Sequence, residues 1–451
     1  MQDEVVRLPH PLILLVGCVL LAAGLSWVLP AGEFERRDDP VTGRQVVVAN
    51  TYHQVERTPV GAFDAVVAIP RGMADAAGVI FYVFLVGGAF AVVERTGAST
   101  RLVSRLVASL EGKEGMVIPI TCLAFGAGGA LIQMQEELIA FVPMLLLLTG
   151  RLGYSPVVAV AVSMGASSVA AAFSPWNPFQ VIIAQKVAEL GIYSGLGFRL
   201  AFLALAVGVW IWGVMRYARK TRVAPQAPAG GGSAMTLSTW RDGAILCTIV
   251  ATFALFIYGA KAWGWDFDQY AALFFLMGVV VGVLGRLGAA GTAEAFVTGF
   301  GSLAYAALLI GFARGIYVVL TQGHIVDTLV HALFVPISTL PVTLAALGMM
   351  AVQALIHVPV PSTSGQAVLT MPVLVPLSDL LGLSRQVTVL AYQYGAGLCE
   401  LVTPTNGGLM AMLAATGVRY DQWMRFLGKV LLALVLLAAV GLVTGIAAHL
   451  R

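Results

Sequence analysis

Of the 451 residues, 59% are hydrophobic and only 11% charged, with a formal net charge of +3; the mean hydropathy is +0.89. Soluble domains carry about 25% charged residues, so this composition excludes a soluble globular protein and gives no footing for nucleic-acid binding. The chain reads as an all-α polytopic membrane protein, because in lipid a helix satisfies its own backbone groups. Cys18, Cys122, Cys247 and Cys399 are scattered through apolar segments without CxxC or Cys/His spacing. That predicts buried packing residues rather than a disulfide or a metal site.

Taken in order, a first span is predicted at about 11–30, too long for the core of a signal peptide. A charged loop follows through Glu33, Glu35, Arg36, Arg37, Asp38 and Asp39 to Pro59, with a strand-capable piece at Val46-Val47-Val48. Spans are predicted at about 77–94 and 198–215, with an amphipathic surface helix at 99–112 carrying Arg101 and Arg105. Between them, the apolar stretch 115–150 breaks at Gln133-Met134-Gln135-Glu136-Glu137. Each arm is shorter than the roughly 20 residues of a full crossing, which predicts a re-entrant hairpin. The segment 156–190 breaks at Ser174-Pro175-Trp176-Asn177-Pro178, and Lys186 and Glu189 are placed at a helix end.

Arg216, Arg219, Lys220 and Arg222 then mark a cytoplasmic boundary, and a Pro/Gly/Ser/Ala linker runs to about residue 240. The second half predicts spans at 243–262, 269–285 and 303–321, and a surface segment at 324–338. A second hairpin (about 340–381) has its tip at Pro361-Ser362-Thr363-Ser364-Gly365-Gln366. A broken segment (384–417, interrupted at Leu401–Gly408) and a last span (425–447) close the chain.

The halves superpose as sequence. A shift of 229 places Pro143 on Pro372, Gly153 on Gly382, Ser155 on Ser384, Pro175 on Pro404 and Asn177 on Asn406. A shift of 227 places Gly72 on Gly299 and Gly88 on Gly315. Residues 1–222 and 241–451 are thus read as two inverted repeats joined by a cytoplasmic linker (223–240). The basic loops put the N-terminus in the cytoplasm and the C-terminus outside, with the first hairpin entering from inside and the second from outside.

Inverted repeats with broken helices are the architecture of secondary transporters, whose half-helix ends aim partial charges at a substrate near the midplane. Four polar breaks are available here, offering backbone carbonyls and Ser, Thr or Asn oxygens suited to Na⁺, and amide donors suited to a carboxylate. Glu136 and Glu137 at the first tip are expected to bind a cation, carry a proton or pair with a substrate ammonium. A carboxylate at membrane depth costs about 2.5–3.5 kcal/mol and so marks function by default; a solvated tip is the bland alternative. Arg314, mid-span, is read as a partner for a tip carboxylate or a substrate carboxylate, or as half of a structural ion pair, and Glu400 is a similar case. His357 is read as a packing or hydrogen-bonding residue rather than a proton relay. No nucleophile–base pair, HExxH, Walker-type loop or haem-type spacing is present, so the sequence does not read as an enzyme. It implies no cofactor and no firm metal site.

At these breaks the sequence resembles the YfcC-type family of the ion-transporter superfamily, the group that also holds the anaerobic C4-dicarboxylate carriers and the ArcD-type arginine/ornithine antiporters. The residues that carry it are Met134-Gln135-Glu136-Glu137, Asn177-Pro178-Phe179, Ser194 to Arg199, Pro361 to Ala367, Arg385-Gln386, Tyr392-Gln393-Tyr394 and Thr403 to Gly407. The resemblance implies a bacterial inner-membrane secondary carrier, a homodimer in lipid, with a scaffold part and a mobile part that moves like an elevator. It puts Glu136, Glu137, Ser174 and Asn177 around one half-site. Ser362, Thr363, Ser364, Thr403, Thr405 and Asn406 line the other, with Gly365, Gln366 and Pro404 in the same motifs. The dicarboxylate branch carries Ser-Asn-Thr tips, whereas this first tip is Gln-Glu-Glu, a poor partner for a dianion. The expected substrate is therefore a basic or neutral amino acid or a related small carboxylate, moved by antiport or with Na⁺ or H⁺. A C4-dicarboxylate or short-chain fatty-acid carrier is the alternative. A channel would differ by lacking trans-stimulated flux.

Overall fold

The computed structural model describes residues 10–39, 44–48, 50–98, 101, 114–223 and 240–450. The expected surface helix at 99–112 and the linker thus lie outside the described residues, apart from Arg101, Val223 and Trp240. In chain order the helices are α1 (Pro11–Val28), α2 (Ala62–Asp75), α3 (Ala77–Arg95), α4 (Val117–Ile132), α5 (Val142–Arg151), α6 (Pro156–Ala172), α7 (Ile183–Val187) and α8 (Leu196–Lys220). They continue with α9 (Trp240–Tyr258), α10 (Phe267–Leu284), α11 (Gly288–Gln322), α12 (Val326–Phe334), α13 (Val342–His357) and α14 (Thr363–Leu380). Last come α15 (Arg385–Cys399), α16 (Gly407–Thr416) and α17 (Tyr420–Ala447). Among the described residues, α3, α8, α10, α11 and α17 are long and apolar enough to cross a membrane.

The fold departs from the sequence reading in a few places. In the loop after α1 the strand-capable piece expected at Val46-Val47-Val48 falls on β3 (Arg44–Val47), which pairs antiparallel with β2 (Arg36–Asp39), while β1 (Gly32–Glu33) pairs with β4 (His53–Gln54), strands the sequence reading did not give. Asp327 on α12 holds this small β layer down, pairing with Arg36 at 2.9 Å and accepting the backbone N–H of Phe34 at 2.9 Å. Helix α2 was not foreseen, because its apolar residues are interrupted by Asp64, Pro70 and Arg71. The span expected at 303–321 is the end of the 35-residue α11, which begins at Gly288 among small and polar residues. Cys122 and Cys399 are buried as expected, but Cys247 is exposed on α9; all four cysteines are free.

Glycine sets how closely the central helices approach. A Cβ on Gly72 of α2 would stand 2.6 Å from the Gly311 carbonyl and 2.7 Å from Gly315 Cα, both on α11. A Cβ on Gly299 of α11 would stand 2.6 Å from Gly88 Cα on α3. Gly72 thus packs on Gly315 and Gly299 on Gly88, so positions equivalent at an offset of 227 exchange partners.

The offset of 229 also joins positions with one backbone role. Gly153 and Gly382 are both left-handed, at φ +71° and +68°. Ser155 and Ser384 are N-caps of α6 and α15. Asn177 and Asn406 each accept backbone N–H groups of the turn that follows.

Candidate functional site

Helix α4 ends because Gln133 turns left-handed at φ +53°, an uncommon conformation for a side chain other than glycine. A 3₁₀ turn, Glu136–Phe141, then leads into α5. The carbonyls freed at the end of α4 need donors, and the next break supplies them. Ser174 Oγ donates to the Ala130 carbonyl at 2.7 Å, and Asn177 Nδ2 donates to the Gly129 carbonyl at 3.0 Å. Both side chains are fully buried.

On the other side, α14 starts at Ser362, whose hydroxyl accepts the N–H of Gly365 at 3.2 Å. The two tips touch directly: Gln133 Nε2 donates to Thr363 Oγ1 at 2.7 Å. A third carboxylate arrives from the end of α15. Glu400 accepts from Gln135 of the first tip and, at 3.0 Å, from Asn406 Nδ2 of the second break. Glu137 turns back to accept the N–H of Gln135 at 2.9 Å. The Glu136 carboxyl carbon would stand 3.6 Å from a Cβ on Gly408, in the first turn of α16, where the helix dipole favours negative charge.

These residues line one cavity of about 1030 Å³. Its polar wall holds Gln133, Gln135, Glu136, Glu137, Ser362, Thr363, Ser364 and Glu400, with Asp266 at the start of α10. Its apolar wall is strongly aromatic, with Trp176, Phe179, Trp265, Phe267 and Tyr270 among its members. Among the described residues, no Arg, Lys or His lines it. An enclosure with these four carboxylates and aromatic faces is suited to a positively charged group, by ion pairing and by cation–π attraction.

Several expected site residues stand behind this cavity rather than in it. Ser174 and Asn177 are consumed in capping α4. Thr405 Oγ1 donates to the Val358 carbonyl, Thr403 bonds Thr405 at 2.9 Å, and Asn406 holds Glu400. Pro404 is not among the lining residues. Gln366 is buried against His357 and Gln353, and His357 makes a hydrogen bond to it through Nδ1. Among the described residues, no group of three or more His, Cys, Asp and Glu is placed to hold a metal ion.

Arg314 does not reach the tip carboxylates. It pairs with Asp75 and lies over the Tyr317 ring, 4.9 Å from its centroid. There it lines a second cavity of about 440 Å³ with Arg36, His324, Asp327 and Gly365. Pro361 and Ser362 belong to the walls of both cavities. Glu189, expected at a helix end, pairs with Arg385 at 2.9 Å.

Sequence reasoning missed the aromatic wall, since Trp265 and Phe267 fell in the short connection between two expected spans and Tyr270 inside the second. It also missed the role of Arg199, a fully buried guanidinium held by Gln393 and, at 3.2 Å, by Gln386. Gln393 in turn donates to the Ser174 carbonyl at 2.7 Å, tying α8 and α15 to the first break. Gln393→Leu strands part of that charge, and a hydrogen bond to a charged group contributes about 1.5–3 kcal/mol. A melting curve in detergent should fall accordingly; an unchanged midpoint would show that Arg199 is solvated.

Several helices long and apolar enough to cross a membrane mark a multi-pass membrane protein, and the family and relatives point to a transporter, not an enzyme. The model of the C4-dicarboxylate anaerobic carrier (DcuC) family matches residues 8–447, and the chain belongs to that family. YfcC of Escherichia coli (strain K12), named as a candidate basic amino acid antiporter, is 30% identical, covering 97% of this chain and 96% of its own. An uncharacterised protein of Haemophilus influenzae (strain ATCC 51907 / DSM 11121 / KW20 / Rd) is 27% identical over 99% of both chains. Among solved structures, the Alcanivorax borkumensis YdaH transporter aligns with a TM-score of 0.45 and 18% identity, over 98% of this chain and 99% of its own.

Proposed function

We propose that this protein is a secondary active transporter of the bacterial inner membrane for amino acids that carry a cationic group, basic ones foremost. The observation that carries this reading is the cavity itself: Glu136, Glu137, Glu400 and Asp266 line it, and no cation does among the described residues. A dicarboxylate, the cargo in the family's description, would enter an enclosure lined by four carboxyl groups. An amino acid can satisfy both walls. Its ammonium or guanidinium meets the carboxylates and aromatic rings, and its own carboxylate meets the free backbone N–H groups that open α14 beside Thr363 and Ser364. The name of the E. coli relative agrees with a basic amino acid exchanged by antiport.

The crossed glycine contacts support two inverted repeats. The short arms α4–α5 and α13–α14, meeting tip to tip, support two re-entrant hairpins. Alternating access then displaces the hairpins and broken helices against a dimeric scaffold, driven by counter-exchange or by Na⁺ or H⁺. The basic loops support an N-terminus inside and a C-terminus outside.

The test is the thermal stability of the detergent-purified protein with L-arginine, L-ornithine, L-alanine or succinate, each with and without Na⁺. A ligand present at a hundred times its Kd stabilises the folded state by about 2.7 kcal/mol. Arginine or ornithine is expected to raise the midpoint and succinate to leave it in place. A succinate shift, above all one that requires Na⁺, would assign the carboxylates to the ion and overturn the amino-acid reading.

A further inference from the structure

One buried contact is not used by the cavity just described. His357, at the end of α13, is fully buried, and its Nδ1 lies 2.9 Å from Gln366 Oε1. The orientation of that amide is fixed from its other end. Gln366 Nε2 donates to the Gln353 backbone carbonyl at 2.7 Å, a group that only accepts. Gln353 Nε2 in turn donates to Thr370 Oγ1 at 2.8 Å, and Thr370 Oγ1 donates to the Gln366 carbonyl at 2.8 Å. The atom facing His357 is therefore the amide oxygen, and Nδ1 must carry the hydrogen. In a neutral imidazole the other nitrogen, Nε2, is then a bare acceptor.

Nε2 has no hydrogen-bond partner and faces Glu400 Oε1 at 3.6 Å. A bare imidazole nitrogen and a carboxylate oxygen repel each other in a buried site unless one proton stands between them. It can ride on Oε1 or on Nε2; the count is one in either case. Glu400 Oε2, the other oxygen, is held by Gln135 and Asn406, and Glu400 lines the cavity. One carboxylate therefore has a proton on its inner side and the first tip on its outer side.

We propose that His357 and Glu400 form the proton-binding site of this transporter, a single proton held between Nε2 and Oε1 and exchanged against a cationic group in the cavity. This deepens the transport reading above and rests on it for the coupling. When the proton leaves, Glu400 is left charged beside an imidazole nitrogen that repels it, and a cation arriving in the cavity supplies the missing positive charge. When the proton returns, the cation loses Glu400 as one of its partners and its release is favoured. Proton and cationic substrate thus compete for one carboxylate, which gives exchange rather than co-transport.

Other titratable groups around the pair are few. From α15 the Cys399 thiol precedes Glu400 and donates to the Ala354 carbonyl at 3.2 Å, with Tyr420 of α17 beyond it. From the first tip Glu136 faces Glu400 across the cavity. Helix α14 presents only Gln366 and Thr370, and no Arg or Lys acts on His357 or Glu400 among the described residues.

The experiment is infrared difference spectroscopy on lipid-reconstituted protein across a pH step, without substrate, on the wild type, Glu400→Gln, Glu136→Gln and His357→Asn. Asparagine keeps a donor near Gln366 while leaving nothing opposite Glu400. The wild type is expected to give a protonated-carboxyl C=O band that is lost at alkaline pH. That band should be absent from Glu400→Gln, retained in Glu136→Gln, and displaced along the pH axis by about one unit or more in His357→Asn, as removal of a neighbouring partner implies. A band that persists in Glu400→Gln, or keeps its wild-type titration in His357→Asn, overturns the proposal. Where Glu400→Gln is not recovered folded, the displacement in His357→Asn decides alone. The reading needs no cargo, so it stands or falls apart from the arginine and succinate measurements.

Discussion

Glu136→Gln and Glu137→Gln should each weaken L-arginine binding about ten- to a hundredfold while the protein stays folded. Glutamine keeps the shape and the acceptor oxygen of glutamate but removes the charge. A hydrogen bond to a charged group contributes about 1.5–3 kcal/mol, and each 1.4 kcal/mol is a factor of ten in affinity. The two variants should also differ. Glu137 holds the N–H of Gln135, so its loss loosens the first tip as well as the charge, whereas Glu136 stands near the first turn of α16 and acts through charge alone. Arginine-dependent stabilisation and uptake into proteoliposomes measure the effect. If both variants bind arginine as the wild type does, the carboxylates of the first tip are not the cation site.

Gly299→Leu is the substitution expected to damage the scaffold most. The added carbon would meet Gly88 Cα at 2.6 Å, as well as the Gly87 carbonyl, and backbone cannot move aside as a flexible side chain can. Overpacking of this kind costs about 1–3 kcal/mol or more, and this site belongs at the upper end. Gly72→Leu, its counterpart in the crossed pair, should lower the thermal midpoint to a similar extent. Gly301→Ala is the control, since nothing lies within 4 Å of its added carbon; in a helix interior it should gain about 0.5–1 kcal/mol. If Gly299→Leu is as stable as Gly301→Ala, α3 and α11 do not approach this closely.

Composition and interrupted hydropathy revealed most of the architecture. Two short apolar arms around Gln133–Glu137, and two more around Pro361–Gln366, read as helix–break–helix units, and the helices stop there. The convergence of both tips on one cavity followed from their symmetric placement. Which polar residues face that cavity was not legible, because the breaks are helix ends as well as candidate ligands. Ser174, Asn177, Thr403 and Thr405 carry the chemistry of a binding site, yet their polar atoms satisfy orphaned backbone groups or one another. Gln135 and Glu400, 265 positions apart, meet only in three dimensions. Helix α2 escaped notice because its apolar residues alternate with Asp64, Pro70 and Arg71. The aromatic wall gave no signal, since aromatic residues in or beside a span report burial in lipid as readily as contact with a ligand.

The shared wall at Pro361–Ser362 has a mechanical consequence. A single turn of backbone borders both spaces, so a displacement of that turn that widens one is expected to narrow the other. A cargo seated against Ser362 would then be felt in the neighbouring space as a change in its room.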